Sequence, residues 1–92
     1  MNVYKIKVVE AAADSGHRKG KVSYRAEIIN QLTGKVVYRT KWYYREFRAH
    51  CAASIALSLF RDYASSINSS LDSLSPEVQA DLLRRYNESF AV

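Results

Sequence analysis

The side chains that could do covalent or acid–base chemistry in this chain are few: one cysteine, Cys51, two histidines, His17 and His50, and nine carboxylates. Cys51 and His50 are neighbours in a helical stretch, where adjacent side chains diverge by about 100°, so they cannot form a nucleophile–base pair. Cys51 falls on an apolar stripe and is expected to be an inert core thiol. Two histidines and a single cysteine make no zinc-binding spacing. Gly16, Gly20 and Gly34 form neither a phosphate loop nor a dinucleotide fingerprint. Glu27 and Glu46 read as charge partners for nearby Lys and Arg, not as an acid–base pair. The expectation is a binding module and not an enzyme, with no catalytic residue, no cofactor and no metal.

The chemistry that remains is electrostatic. Residues 1–50 hold eleven Lys/Arg against four acids, whereas residues 51–92 hold three against five. Such an asymmetry points the first half at nucleic acid or another acidic surface. The cations expected to make the contact are Lys5, Lys7, Arg18, Lys19, Lys21, Arg25, Lys35, Arg39 and Lys41. Tyr43 is the aromatic placed among them, able to stack a base or anchor a protein contact.

The elements that position these residues follow from periodicity. Residues 21–44 alternate with period two around a turn at Asn30-Gln31-Leu32-Thr33-Gly34, which predicts a β-hairpin. On its first strand Val22, Tyr24, Ala26 and Ile28 share one face, with Lys21, Ser23, Arg25 and Glu27 on the other. On the second, Val36, Tyr38, Thr40 and Trp42 share the apolar face, opposite Lys35, Val37, Arg39 and Lys41. Residues 2–10 form a third strand, with Tyr4, Ile6 and Val8 facing away from Val3, Lys5, Lys7 and Val9. Residues 11–20 read as a loop whose tip, His17-Arg18-Lys19, could clamp a phosphate backbone.

From about residue 45 the period lengthens. Phe47, Cys51, Ala52, Ile55, Ala56, Leu59, Phe60, Tyr63, Ala64 and Ile67 recur at helical spacing, predicting a long helix over about 45–67 that packs on the sheet. Its start has no good N-cap residue. A serine-rich, weakly structured link containing Leu71 and Leu74 follows. Ser75-Pro76-Glu77 then opens a second helix over about 76–88, with Val78, Leu82, Leu83, Tyr86 and Phe90 as its apolar stripe. The predicted fold is α+β, a three-stranded antiparallel sheet with two helices in the order β-β-β-α-α, as one domain over residues 1–92 with the sheet at 2–44.

A hydrophobic content of 48% with 25% charged residues is that of a globular chain and excludes a disordered tail. One cysteine fits a reducing compartment, and no apolar stretch is long enough to span a bilayer. The expected setting is cytoplasmic, with no membrane partner.

The hairpin YRAEIINQLTGKVVYRTKWYY with the following RAHCAASIALSLF helix resembles, over residues 24–60, the small phage-encoded anti-CRISPR proteins that inhibit type I-F surveillance complexes. The resemblance implies a cofactor-free single domain in the host cytoplasm that binds subunits of the surveillance complex, with contact to the guide RNA left open. Such a protein would block hybridisation of target DNA. A chain this basic argues against mimicry of DNA. In outline the order of elements also resembles the β-β-β-α DNA-binding domains of integrase arm-type. That alternative implies direct DNA or RNA binding, with Arg25, Lys35, Arg39 and Lys41 at the groove-facing positions.

Overall fold

The computed structural model describes residues 3–12 and 21–89 of the chain. Along it run β1 (Tyr4–Ala12), β2 (Val22–Asn30), β3 (Val36–Arg39), α1 (Glu46–Ser66), a 3-10 turn (Leu71–Ser73) and α2 (Pro76–Glu88). The strands form one antiparallel sheet in the order β1-β2-β3, the expected α+β architecture. The residues fall into two units, Met1–Ser54 and Ile55–Val92.

In the first unit β1 and β2 pair without interruption from Tyr4↔Asn30 to Ala12↔Val22. Directly opposed residues share a face, so Tyr4, Ile6 and Val8 line up with Asn30, Ile28 and Ala26, and Ala26 and Ile28 are fully buried. This is the apolar face that alternation predicts. β1 continues through Ala11 and Ala12, which the sequence reading gives to the loop. The rest of that loop, with His17, Arg18 and Lys19, lies outside the described residues.

The hairpin turn closes through Gly34 N–H donating to the Asn30 carbonyl at 2.7 Å and Asn30 N–H donating to the Lys35 carbonyl at 2.9 Å. Gly34 sits at φ 76°, where a Cβ is disfavoured. The Asn30 side-chain oxygen accepts the Leu32 N–H at 2.9 Å and holds the loop from within.

β3 breaks the predicted alternation twice. Tyr38 opposes Ile28 but Val36 opposes Ile29, so Val37 is an extra residue. Further on, Arg39 opposes Glu27 and Tyr43 opposes Tyr24. Residues 40, 41 and 42 lie between the first pair and the second on one strand, whereas only residues 25 and 26 do on the other. Each one-residue bulge exchanges the faces of everything beyond it. Thr40 makes the second bulge possible. It is 2% exposed; its N–H donates to the Ala26 carbonyl at 2.9 Å, and its hydroxyl oxygen accepts the Ala26 N–H at 3.0 Å while donating to the Lys41 carbonyl at 2.8 Å. A side chain therefore replaces a backbone acceptor in the ladder, and the chain can bulge without orphaning a buried N–H.

Thr40→Val keeps the shape and removes that acceptor. It is expected to destabilise the fold by about 1–3 kcal/mol, read as a lowered urea midpoint. An unchanged midpoint would show that the hydroxyl is not what satisfies Ala26.

α1 buries the predicted stripe only in part, at Ala56, Phe60 and Ala64. Its buried residues are Ala49 and Ala53 in the first unit and Ala56, Leu57, Phe60 and Ala64 in the second. Phe47, Ile55 and Ile67 are exposed, and Cys51, expected to be a core thiol, is exposed as well. The cause lies in composition. Between residues 49 and 60 apolar side chains occur almost all round the helix, so hydrophobicity singles out no face, and the alanine-rich side is the one buried.

In the second unit α1 ends in a Schellman arrangement. Asn68 adopts φ 55°, Ser69 N–H donates to the Ala64 carbonyl at 2.8 Å and Asn68 N–H to the Ser65 carbonyl at 3.1 Å. The serine-rich link is more ordered than expected: it forms the 3-10 turn and buries both Leu71 and Leu74. α2 begins as predicted, with Pro76 in its first turn and the Ser75 hydroxyl oxygen accepting the Val78 N–H at 3.2 Å. Its predicted stripe residues Val78, Leu82, Leu83 and Tyr86 are half-buried, and Gln79 is the buried one. Phe90 lies outside the described residues. Arg84 bridges Asp81 and Glu88, whose hydrogen bonds hold its guanidinium above its ordinary range.

Candidate nucleic-acid interface

The sheet face opposite Ala26 and Ile28 is less basic than alternation alone suggests. Across it run the row Lys5, Ile29 and Val36 and the row Lys7, Glu27 and Arg39, with Val9 beside Arg25. Glu27 Oε2 accepts from Arg39 Nε at 2.7 Å, so a carboxylate at the centre of the face offsets one of its cations. Lys5 and Lys7 are exposed on β1. Lys21 is exposed just before β2.

The two bulges move two of the expected contact residues, Lys35 and Tyr43, and one expected core residue, Trp42. Lys35 lies opposite Asn30, joined through the Asn30 N–H, and so belongs to the row of the apolar face instead of the basic one. Trp42, expected in the core beside Tyr38, is 41% exposed, and the Arg25 guanidinium lies over its ring at 4.6 Å from the centroid. Tyr43, expected on the basic face, opposes Tyr24 instead, with N–H···O bonds of 2.7 Å in both directions. It approaches Tyr38, whose phenol is pushed up first by burial and then by the Tyr43 phenol. Lys41 Nζ sits 5.5 Å from the Tyr43 ring centroid. Arg18 and Lys19 lie outside the described residues.

The bulged strand end and the start of α1 bring a different set together. A groove of about 450 Å³ is lined by Lys41, Trp42, Tyr43, Tyr44, Arg45 and Arg48. A more open one beside it shares Tyr44 and Arg45 and is bounded by Tyr24, Phe47 and the carboxylate of Glu46. Tyr44 is 69% and Phe47 59% exposed. Among the described residues neither Arg45 nor Arg48 is in an ion pair. Arg45 also precedes the first residue of α1, and a guanidinium offers only donors. It cannot cap the first-turn N–H groups; the first turn carries an acid of its own, Glu46, which complements the positive end of the helix dipole.

Of the residues singled out from sequence, the groove contains Lys41 and Tyr43, with Arg25 reaching it through Trp42. Sequence reasoning missed Trp42, Tyr44, Arg45, Phe47 and Arg48 as surface groups. The signal was present as a run, Lys-Trp-Tyr-Tyr-Arg-Glu-Phe-Arg over residues 41–48, in which cations and aromatics interleave.

Among the described residues no group of His, Cys, Asp and Glu side chains could hold a metal ion, and no helix is long and apolar enough to cross a membrane. Compared with protein-family models, with curated proteins and with solved structures, the chain matches none.

Proposed function

We propose that the chain is a non-enzymatic module that binds nucleic acid at the junction of the bulged strand and α1. One observation carries this reading: three cations, Lys41, Arg45 and Arg48, and three aromatics, Trp42, Tyr43 and Tyr44, line one groove. Cations neutralise phosphates without regard to sequence. Exposed aromatic rings add sequence-tolerant contacts with bases or sugars. Lys5, Lys7 and Lys21 extend the positive field beyond the groove and would steer a polyanion towards it.

The resemblance to anti-CRISPR proteins supplies a second reading, favoured by the exposure of Tyr44 and Phe47. Aromatics of this kind anchor protein contacts as well as bases. A surveillance complex that holds a guide RNA among its subunits would offer phosphates and protein side by side to such a surface.

Binding of labelled nucleic acid, followed by anisotropy at low and at physiological salt, tests the first reading. Three phosphate contacts are expected to give a log–log salt slope of about −2 to −3. Absence of binding at low salt would overturn it. Retention of a type I-F complex by the immobilised protein that persists after ribonuclease treatment would support the second reading; failure to retain the complex would reject it.

A further inference from the structure

We infer that the ligand of the groove is a single strand, one base of which stacks on Trp42. The inference rests on the nucleic-acid reading and narrows it. Bases in a duplex are stacked on one another and present only their edges, so an exposed ring plane gains nothing from them. An unpaired base, by contrast, offers a face to the ring. Trp42 is 41% exposed, and the Arg25 guanidinium already lies over its ring at 4.6 Å. A cation held there restrains the indole plane before any ligand arrives, so less ordering is needed on binding.

Arg25 is held in this position at some cost. Its Nε is buried with no hydrogen-bond partner, and among the described residues it makes no ion pair. A buried donor without an acceptor destabilises a fold, and local rules are broken in this way where binding needs the group. Arg25 is therefore a positioning residue for Trp42.

The dimensions and charges agree with a strand more than with a duplex. A groove of about 450 Å³ lies within the range of about 300–1,000 Å³ in which small-molecule-sized groups such as a nucleotide are held. Arg45 and Arg48 line the same groove as Trp42 and Tyr44, which sets phosphate donors beside ring planes. The sheet face that a duplex reader would offer to a major groove instead carries Glu27, Ile29, Val36 and Val9 among its lysines and arginines.

Trp42 is the chain's one tryptophan, so its fluorescence reports on the site alone. The protein is titrated with oligothymidylate, with oligouridylate and with a mixed-sequence duplex of the same length, following indole emission and, in parallel, anisotropy of the labelled oligonucleotide. Both single strands are expected to quench Trp42 and to bind at least tenfold more tightly than the duplex, and the preference between them tells DNA from RNA. Trp42→Leu is expected to weaken single-strand binding by about 5- to 100-fold, while Trp42→Phe, which keeps a ring, restores most of the affinity. Circular dichroism of each variant confirms that it is folded. Arg25→Leu should lower the affinity less than Trp42→Leu and leave the residual quenching in place. A duplex that binds as tightly as the single strands, or single strands that bind without quenching and equally well to Trp42→Leu, would overturn this inference while leaving the nucleic-acid reading intact. Failure of all three ligands to bind would overturn both.

Discussion

Phe60→Ala is expected to destabilise the protein by about 3–5 kcal/mol, the largest single-site effect on folding in this chain. Phe60 and Ile28 are the largest side chains that are fully buried. The remaining buried positions of α1 are mostly alanine, so the helix itself offers little bulk to fill the space that the ring vacates. A domain of this size has a total stability of roughly 5–15 kcal/mol, so the variant should sit near its unfolding threshold at room temperature. Urea denaturation followed by circular dichroism reads the effect directly. Ile55→Ala is the natural comparison. Sequence periodicity gives it a core position, but Ile55 is 37% exposed, and its truncation should cost well under half as much. Equal losses at the two sites would mean that the buried stripe of α1 has been misplaced.

The second large effect is on binding. Reversing both arginines of the groove, as Arg45→Glu with Arg48→Glu, is expected to weaken nucleic-acid binding on the order of 100-fold or more, since each change removes a phosphate contact and sets a carboxylate against the polyanion. The log–log salt slope should fall to about −1, the share of Lys41 alone. Both residues are exposed, so folding should be little changed. The matched control reverses Lys5 and Lys7. These lie on the sheet face, outside the groove, and their reversal should slow association and lower affinity far less. A larger loss from the lysine pair than from the arginine pair would return the site to the sheet face, where sequence alternation alone puts it.

The difference between those two locations shows what could be read from sequence and what could not. The hairpin was legible because Gly34 marks its turn and the flanking strands alternate. α2 was legible because Ser75 and Pro76 are a cap and a first-turn residue whose roles are local. The register of β3 was not. A bulge depends on which partner satisfies a particular N–H across the sheet, here Ala26 with the Thr40 hydroxyl, and that partner lies fourteen residues away in sequence. Each bulge inverts the faces beyond it, so missing them was enough to put Trp42 in the core, Tyr43 on the basic face and Lys35 beside Arg39. The buried side of α1 was only partly legible for a different reason, because alanines and larger apolar residues together surround the helix. Cys51 and Phe47 reached the surface as a result. Arg25 and Lys41 were found by charge alone. The aromatic half of the groove needed the strand geometry, since Trp42 and Tyr44 look like core residues until their faces are known.

Residues 41–48 are the proposed binding surface. The most direct test is a titration of the isotopically labelled protein with oligothymidylate, followed through its backbone amide resonances and the Trp42 indole N–H. The largest shifts are expected at Lys41, Trp42, Tyr44, Arg45 and Arg48, with the indole N–H among them and the amides of Lys5 and Lys7 little moved. Shifts concentrated on Lys5, Lys7 and Arg39, or on α2, with the Trp42 indole unchanged, would contradict the account.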